Sequence, residues 1–237
     1  MMILPEKKIG FVHIYKTGGT SLTKLLMPYT DPSFRDANPR TAGSGFQGTW
    51  HYRGTQHSKF SQKDSGFPAP LRDEIDQWRF ISVVRNPYTW CHSVYMEFWA
   101  HDRGQNRGPN FLFGQVDPKR SLKGFYRFSK AFLPGHPNMY GIATQSSFLK
   151  GIPQKQLRLI RFENYDEDLR QVLEEIDVPV TQIPHVLDRG QAKRDRARTL
   201  MSDPDHIAFC NSYYAEDFRR FGYEVITTPN AEPATQP

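Results

Sequence analysis

Ile9-Gly10-Phe11-Val12-His13-Ile14-Tyr15-Lys16-Thr17-Gly18-Gly19-Thr20-Ser21-Leu22-Thr23-Lys24-Leu25-Leu26 holds the most informative pattern in the chain. Residues 9–15 are apolar and rich in β-branched and aromatic side chains, the composition of a buried strand. A turn with two glycines follows, and residues 20–26 read as a helix. The pattern recurs twice downstream. Residues 79–85 predict a second strand, and Asn86-Pro87 supplies a cap and a first-turn proline for a helix running to about Ala100. Residues 157–162 predict a third strand; Asn164 and Glu167 then have capping-box spacing before a helix over about 165–176. Strands alternating with helices predict an α/β fold with a central, mainly parallel sheet flanked by helices. Ligands of such sheets bind at the strand-to-helix turns.

The 237 residues suit one compact domain, read here as residues 1–226 with a flexible C-terminal tail over 227–237. Hydrophobic residues at 38% and charged residues at 24% exclude wholesale disorder. No run approaches the roughly 18 apolar residues of a membrane span, and the first residues are too short an apolar stretch for a secretory signal. The expectation is a soluble, cytoplasmic chain. Cys91 and Cys210 form no disulfide framework and no metal-ligand spacing in sequence, so no metal is expected. The net charge of +6 suits anionic ligands without choosing among nucleotides, nucleic acids, membrane surfaces and acidic glycans. Residues 28–70 and 101–118 read as long irregular stretches, the places where acceptor specificity would reside.

The turn from Tyr15 to Ser21 has the chemistry of an anion site. Gly18 and Gly19 let the backbone curl so that several N–H groups converge, and the following helix aims its positive end at the same point. Lys16 adds a full charge, while Thr17, Thr20 and Ser21 offer hydroxyls. An ordinary Gly-Gly turn would require neither the lysine nor the hydroxyls. The order is not Walker A, in which lysine follows the glycines.

Residues 11–22 resemble the 5′-phosphosulfate loop of sulfotransferases that use 3′-phosphoadenosine 5′-phosphosulfate (PAPS), and most closely the carbohydrate and heparan-type, family-2-like branch. Tyr15 stands where that loop usually has proline. Val84-Arg85-Asn86-Pro87-Tyr88 with Ser93 and Tyr95 resembles the family's 3′-phosphate motif. Arg85 leaves a strand end able to grip a phosphate with two prongs, and Ser93 lies about two turns into the next helix. Singly, Arg85 reads as a salt bridge and Ser93 as a packing residue; beside the loop they read as a pair. Thr89-Trp90-Cys91 departs from the family's usual Asp-Arg and apolar residue, so that arginine's contact has no counterpart here. Weaker similarity runs through Gln145, Arg161-Phe162-Glu163-Asn164-Tyr165 and the segment 214–223.

The resemblance implies a three-layer P-loop-like fold and transfer of a sulfuryl group to a hydroxyl or amine. The cofactor-binding set would be Lys16, Thr17, Gly18, Gly19, Thr20, Ser21, Arg85 and Ser93, with PAPS as co-substrate and 3′-phosphoadenosine 5′-phosphate (PAP) as product. Lys16 would also stabilise the leaving phosphate. An acceptor hydroxyl needs a base. His57 resembles the family's short His-Ser/Ala segment and is the catalytic candidate, with His51 its competitor. His13 and His92 read as structural, and His101, His136, His185 and His206 have no partner visible in sequence. The basic stretch 189–198 reads as an exposed helix or as an arm over the nucleotide.

Two other functions fit parts of the sequence. A nucleotide-dependent kinase of related fold would want a Walker B acidic strand end, which is not evident. A non-catalytic binder of anionic polymers would rest on the basic charge, but no nucleic-acid motif accompanies it. The expected partner is a small-molecule, lipid or glycan acceptor rather than nucleic acid. Acceptor identity and oligomeric state are not legible.

Overall fold

The structure is a computed structural model that describes residues 1–30, 57, 59–60, 74–102, 104, 108–132, 143–179 and 199–227. In chain order the strands are β1 (Met2–Leu4), β2 (Ile9–Phe11), β3 (Arg79–Val84) and β4 (Leu157–Arg161). The helices are α1 (Gly19–Leu26), α2 (Pro87–Phe98), α3 (Pro109–Val116), α4 (Leu122–Phe132), α5 (Gln145–Phe148), α6 (Tyr165–Glu175), α7 (Pro204–Tyr213) and α8 (Ala215–Phe221). The chain divides into two compact units, Met1–Arg85 with Thr144–Asp188, and Asn86–Ala143 with Arg189–Pro237.

The first unit carries the sheet, ordered β1-β2-β3-β4. β2 pairs parallel with β3 and β3 with β4, while β1 runs antiparallel to β2. The α/β reading and the mainly parallel sheet hold. β3 is buried at every residue after Arg79, which is why it reads as a continuous apolar run and not an alternating one. Ile81 and Val83 join Ile9, Phe11, Leu22 and Leu26 of α1, and Leu169, Val172 and Leu173 of α6, in one apolar core. Phe80 faces the other way and meets Phe60 edge-on, ring centres 4.8 Å apart.

Four expectations change. β1 was not foreseen: Lys8 takes the left-handed conformation (φ 52) after the Pro5–Lys7 turn, and the chain doubles back as a hairpin. β2 stops at Phe11, although Val12 N–H still donates to Ile81 at 2.9 Å before the chain leaves the sheet. The capping box at Asn164 does not form. Asp168 is the stronger acceptor there, taking Arg161 N–H and the Asn164 side-chain amide, each at 2.7 Å. Finally, the stretch 101–118 holds α3, entered through Gly108 (φ 90) with Pro109 in its first turn. Of its apolar side chains Phe113 is buried, while Leu112 and Val116 are exposed.

The second unit is helical and aromatic. Trp99 packs against Phe113, Phe125 and Phe128. Tyr126 stacks on Phe209 of α7 with centroids 4.3 Å apart. Asn86 caps α2 as expected, its side chain accepting from Tyr88 N–H at 3.0 Å. Among the described residues, no helix is long and apolar enough to cross a membrane.

Candidate active site

Because β2, β3 and β4 are parallel neighbours, the chain segments leaving their C-terminal ends share one edge of the sheet. The first of these is the glycine turn. Lys16 adopts a left-handed conformation (φ 62), and Gly18 follows at φ 92 as the residue before α1. Lys16, Gly18 and Thr20 are half-buried, whereas Thr17, Gly19 and Ser21 turn inward. The Thr17 hydroxyl is fully buried and donates to the Ile14 carbonyl at 2.7 Å. Thr17 therefore braces the turn; the hydroxyl donor foreseen there is already used.

Both glycines answer to packing as well as to backbone curl. A Cβ on Gly19 would fall 2.6 Å from His13 Nε2, inside the buried imidazole that supports the turn. A Cβ on Gly18 would lie 3.0 Å from the Phe162 ring, on top of its positive φ. Phe162 leaves β4, and Tyr165 Oη, three residues on, approaches the Gly18 carbonyl at 3.5 Å. Phe162 and Tyr165 were noted in sequence only as a weak similarity. Nothing local said that they back the turn.

Arg85 leaves β3 and reaches the same turn, Nη1 donating to the Lys16 carbonyl at 3.4 Å. Its guanidinium lies 4.4 Å from the centre of the Phe162 ring, a cation–π contact. Gln145, wholly buried, holds the Arg85 main chain from both sides. Its Oε1 accepts from Arg85 N–H at 2.9 Å, and its Nε2 donates to the Arg85 carbonyl at 2.7 Å. Gln145→Leu strands both main-chain groups, so a loss of about 2–4 kcal/mol is expected, read as a lower chemical-unfolding midpoint. Ser93 lies half-buried on α2, in the second unit.

His57 is the third component. Its Nδ1 stands 3.1 Å from the His13 carbonyl. A carbonyl can only accept, so Nδ1 carries the proton and Nε2 is the lone-pair nitrogen. The ring meets His13 and Tyr15 edge-on, at 4.6 and 5.8 Å between centres. Tyr15, in the place of a family proline, is thus a wall of the histidine's pocket, backed by Phe148 at 5.4 Å. Burial is the main force that lowers the His57 pKa from 6.5 to about 4; the His13 carbonyl opposes it, and the Lys16 charge adds to it. The imidazole is neutral at neutral pH. His51, His136, His185 and the basic stretch 189–198 lie outside the described residues.

The lowered pKa has a sign for stability. Between about 4 and 6.5 the unfolded chain binds more protons at His57 than the folded one, so stability falls as pH drops through that window. His206, also lowered chiefly by burial, acts in the same direction. Thermal midpoints measured from pH 7 to pH 4.5 should decline, with a shallower slope in His57→Gln.

A mainly parallel sheet thus carries a lysine-bearing glycine turn after one strand and an arginine after the next, the two in contact. A model of the sulfotransferase family, of the family-2 type, matches residues 1–224, and the chain belongs to that family. Comparison with curated proteins and with solved structures returned no match.

Proposed function

We propose that this sulfotransferase takes its sulfuryl group from PAPS and passes it to an acceptor hydroxyl or amine, with a carbohydrate hydroxyl the class favoured by its family branch. One observation supports this reading above the others: Arg85 and the Lys16 turn, from two different strands, lie within 3.4 Å of each other. Two cationic groups on one sheet edge suit a nucleotide with two separate phosphates. The turn from Lys16 to Ser21, at the start of α1, would take the 5′-phosphosulfate. Arg85 would take the 3′-phosphate, and Ser93 joins it on the strength of the motif alone.

The reaction is an in-line displacement at sulfur. The acceptor oxygen forms a bond to sulfur as the bond from sulfur to the 5′-phosphate oxygen breaks. The acceptor proton passes to His57 Nε2, and the negative charge that develops on the departing phosphate falls to Lys16 and the main-chain N–H groups. A low pKa makes His57 a modest base, which suits a late proton transfer, when the acceptor oxygen is already partly bonded to sulfur and more acidic. Buried Gln145 holds the Arg85 main chain and the Phe162 ring contacts its guanidinium, so the clamp is set before the nucleotide arrives.

Isothermal titration tests the reading. PAP should bind tightly and AMP, without the 3′-phosphate, more weakly; equal affinities would overturn it. Transfer of labelled sulfuryl groups across an acceptor panel would then name the second substrate.

A further inference from the structure

Three donor atoms in the second unit belong to residues to which the transfer reaction gives no role. Cys91 on α2 and His206 and Cys210 on α7 bring one sulfur, one ring nitrogen and one sulfur within 4.8 Å of one another, and all three residues are wholly buried. Cys91 and Cys210 are both free thiols. We infer that this cluster is a structural site for a divalent cation of borderline softness, zinc above all, that ties α2 to α7.

The donor set is the first reason. Two thiolates and an imidazole are the ligands that select zinc over magnesium or calcium. His206 and Cys210 are four residues apart, and so share one face of α7.

Second-shell geometry is the next reason. His206 Nε2 lies 2.9 Å from the Tyr88 carbonyl, which can only accept, so Nε2 carries the proton and Nδ1 the lone pair. A metal-bound histidine is normally oriented in this way, by a carbonyl or carboxylate on its other nitrogen. Tyr88 precedes Cys91 by one turn of α2, so that single turn supplies both a ligand and the group that aims another.

The Cys210–His206 distances are close to those of a filled site, and Cys91 Sγ lies within 4.8 Å of both partners. On a tetrahedral ion with zinc–sulfur near 2.3 Å and zinc–nitrogen near 2.0 Å, sulfur and nitrogen stand about 3.6 Å apart. Cys210 Sγ lies 3.9 Å from Nδ1 and 3.7 Å from Nε2. Binding asks the sulfur to swing toward the Nδ1 side. The Nδ1 lone pair is held by the Tyr126 hydroxyl at 2.6 Å. For Nδ1 to take the ion, the Tyr126 hydroxyl must give up this hydrogen bond and turn to another acceptor.

Charge explains the preference for a dication. Each thiol releases its proton to solvent, and the two thiolates balance the ion, while His206 and Tyr126 stay neutral. The buried assembly has no net charge, which avoids the cost of an unpaired ion in an apolar interior. A monovalent copper ion would leave one negative charge uncompensated. Since protons leave on binding, affinity should strengthen as pH rises.

The test uses the full chain, reduced and kept under an inert atmosphere, and requires neither nucleotide nor activity. Cobalt(II) titration should give one equivalent bound, with a sulfur-to-metal charge-transfer band and the intense visible bands of tetrahedral cobalt, both erased by added zinc. Zinc should raise the melting temperature of the wild type but not of Cys91→Ala or Cys210→Ala, and both variants should lose the cobalt band. The wild-type titration decides even if a variant fails to fold. No band, binding far from one equivalent, or a band that persists in both folded variants overturns the proposal. So does a chain whose two thiols are joined as a disulfide and which binds no cobalt once reduced.

Discussion

His57→Ala should lower kcat by about 10²–10⁴-fold, the usual worth of a positioned general base, with no change in affinity for PAP. The expectation comes from geometry. His57 Nδ1 is fixed on the His13 carbonyl, so Nε2 holds the lone pair, and the carbonyl it leans on belongs to the segment between β2 and the Lys16 turn. The split between kcat and nucleotide affinity separates this role from a structural one. Were His57 only a packing residue against His13 and Tyr15, its loss would loosen the turn, and PAP binding would weaken with kcat. Added imidazole should restore part of the rate. A variant that keeps full kcat excludes His57 as the base.

Removal of the Lys16 charge should cost about 10²–10³-fold in kcat, the scale of losing one group that stabilises charge on the leaving oxygen, and should weaken PAP binding too. Lys16→Ala is the simple version. Lys16→Gly is more telling, because Lys16 sits at φ 62, where a side chain costs energy that glycine does not. That variant should be more stable than wild type by about 1 kcal/mol and yet nearly inactive. A backbone conformation unfavourable to lysine, held at a charged residue of the turn, makes sense if the charge is needed there. Thermal unfolding and single-turnover sulfuryl transfer on the same preparation measure both halves. Retained activity in Lys16→Gly would assign leaving-group stabilisation to the backbone N–H groups alone.

The behaviour of Gly18 and Gly19 shows how far local pattern carried and where it stopped. Their place between a strand and a helix marked a tight turn as the candidate anion site, since backbone conformation and helix direction are short-range properties. That a Cβ on Gly19 would strike His13, and one on Gly18 would meet Phe162, could not be read from neighbours in the chain. Arg85 was legible as a strand-end cation; its grip by Gln145 was not, because the partner lies 60 residues away. Cys91 and Cys210 were read as unrelated for the same reason: the ligand spacings known from sequence are local, and this cluster is assembled by two helices packing together.

Apolar runs, glycine turns and the two motifs after β2 and β3 were therefore enough, on sequence alone, to give the α/β class and the sulfotransferase family. Folding in three dimensions added the edge strand β1, helix α3, the bracing role of the Thr17 hydroxyl, the tautomer of His57 and the donors gathered around Cys210. The division has a physical cause. Backbone preference and amphipathic period act over a few residues and leave their mark in the local sequence, whereas burial, pKa and ligand geometry depend on side chains that only the packed chain brings together.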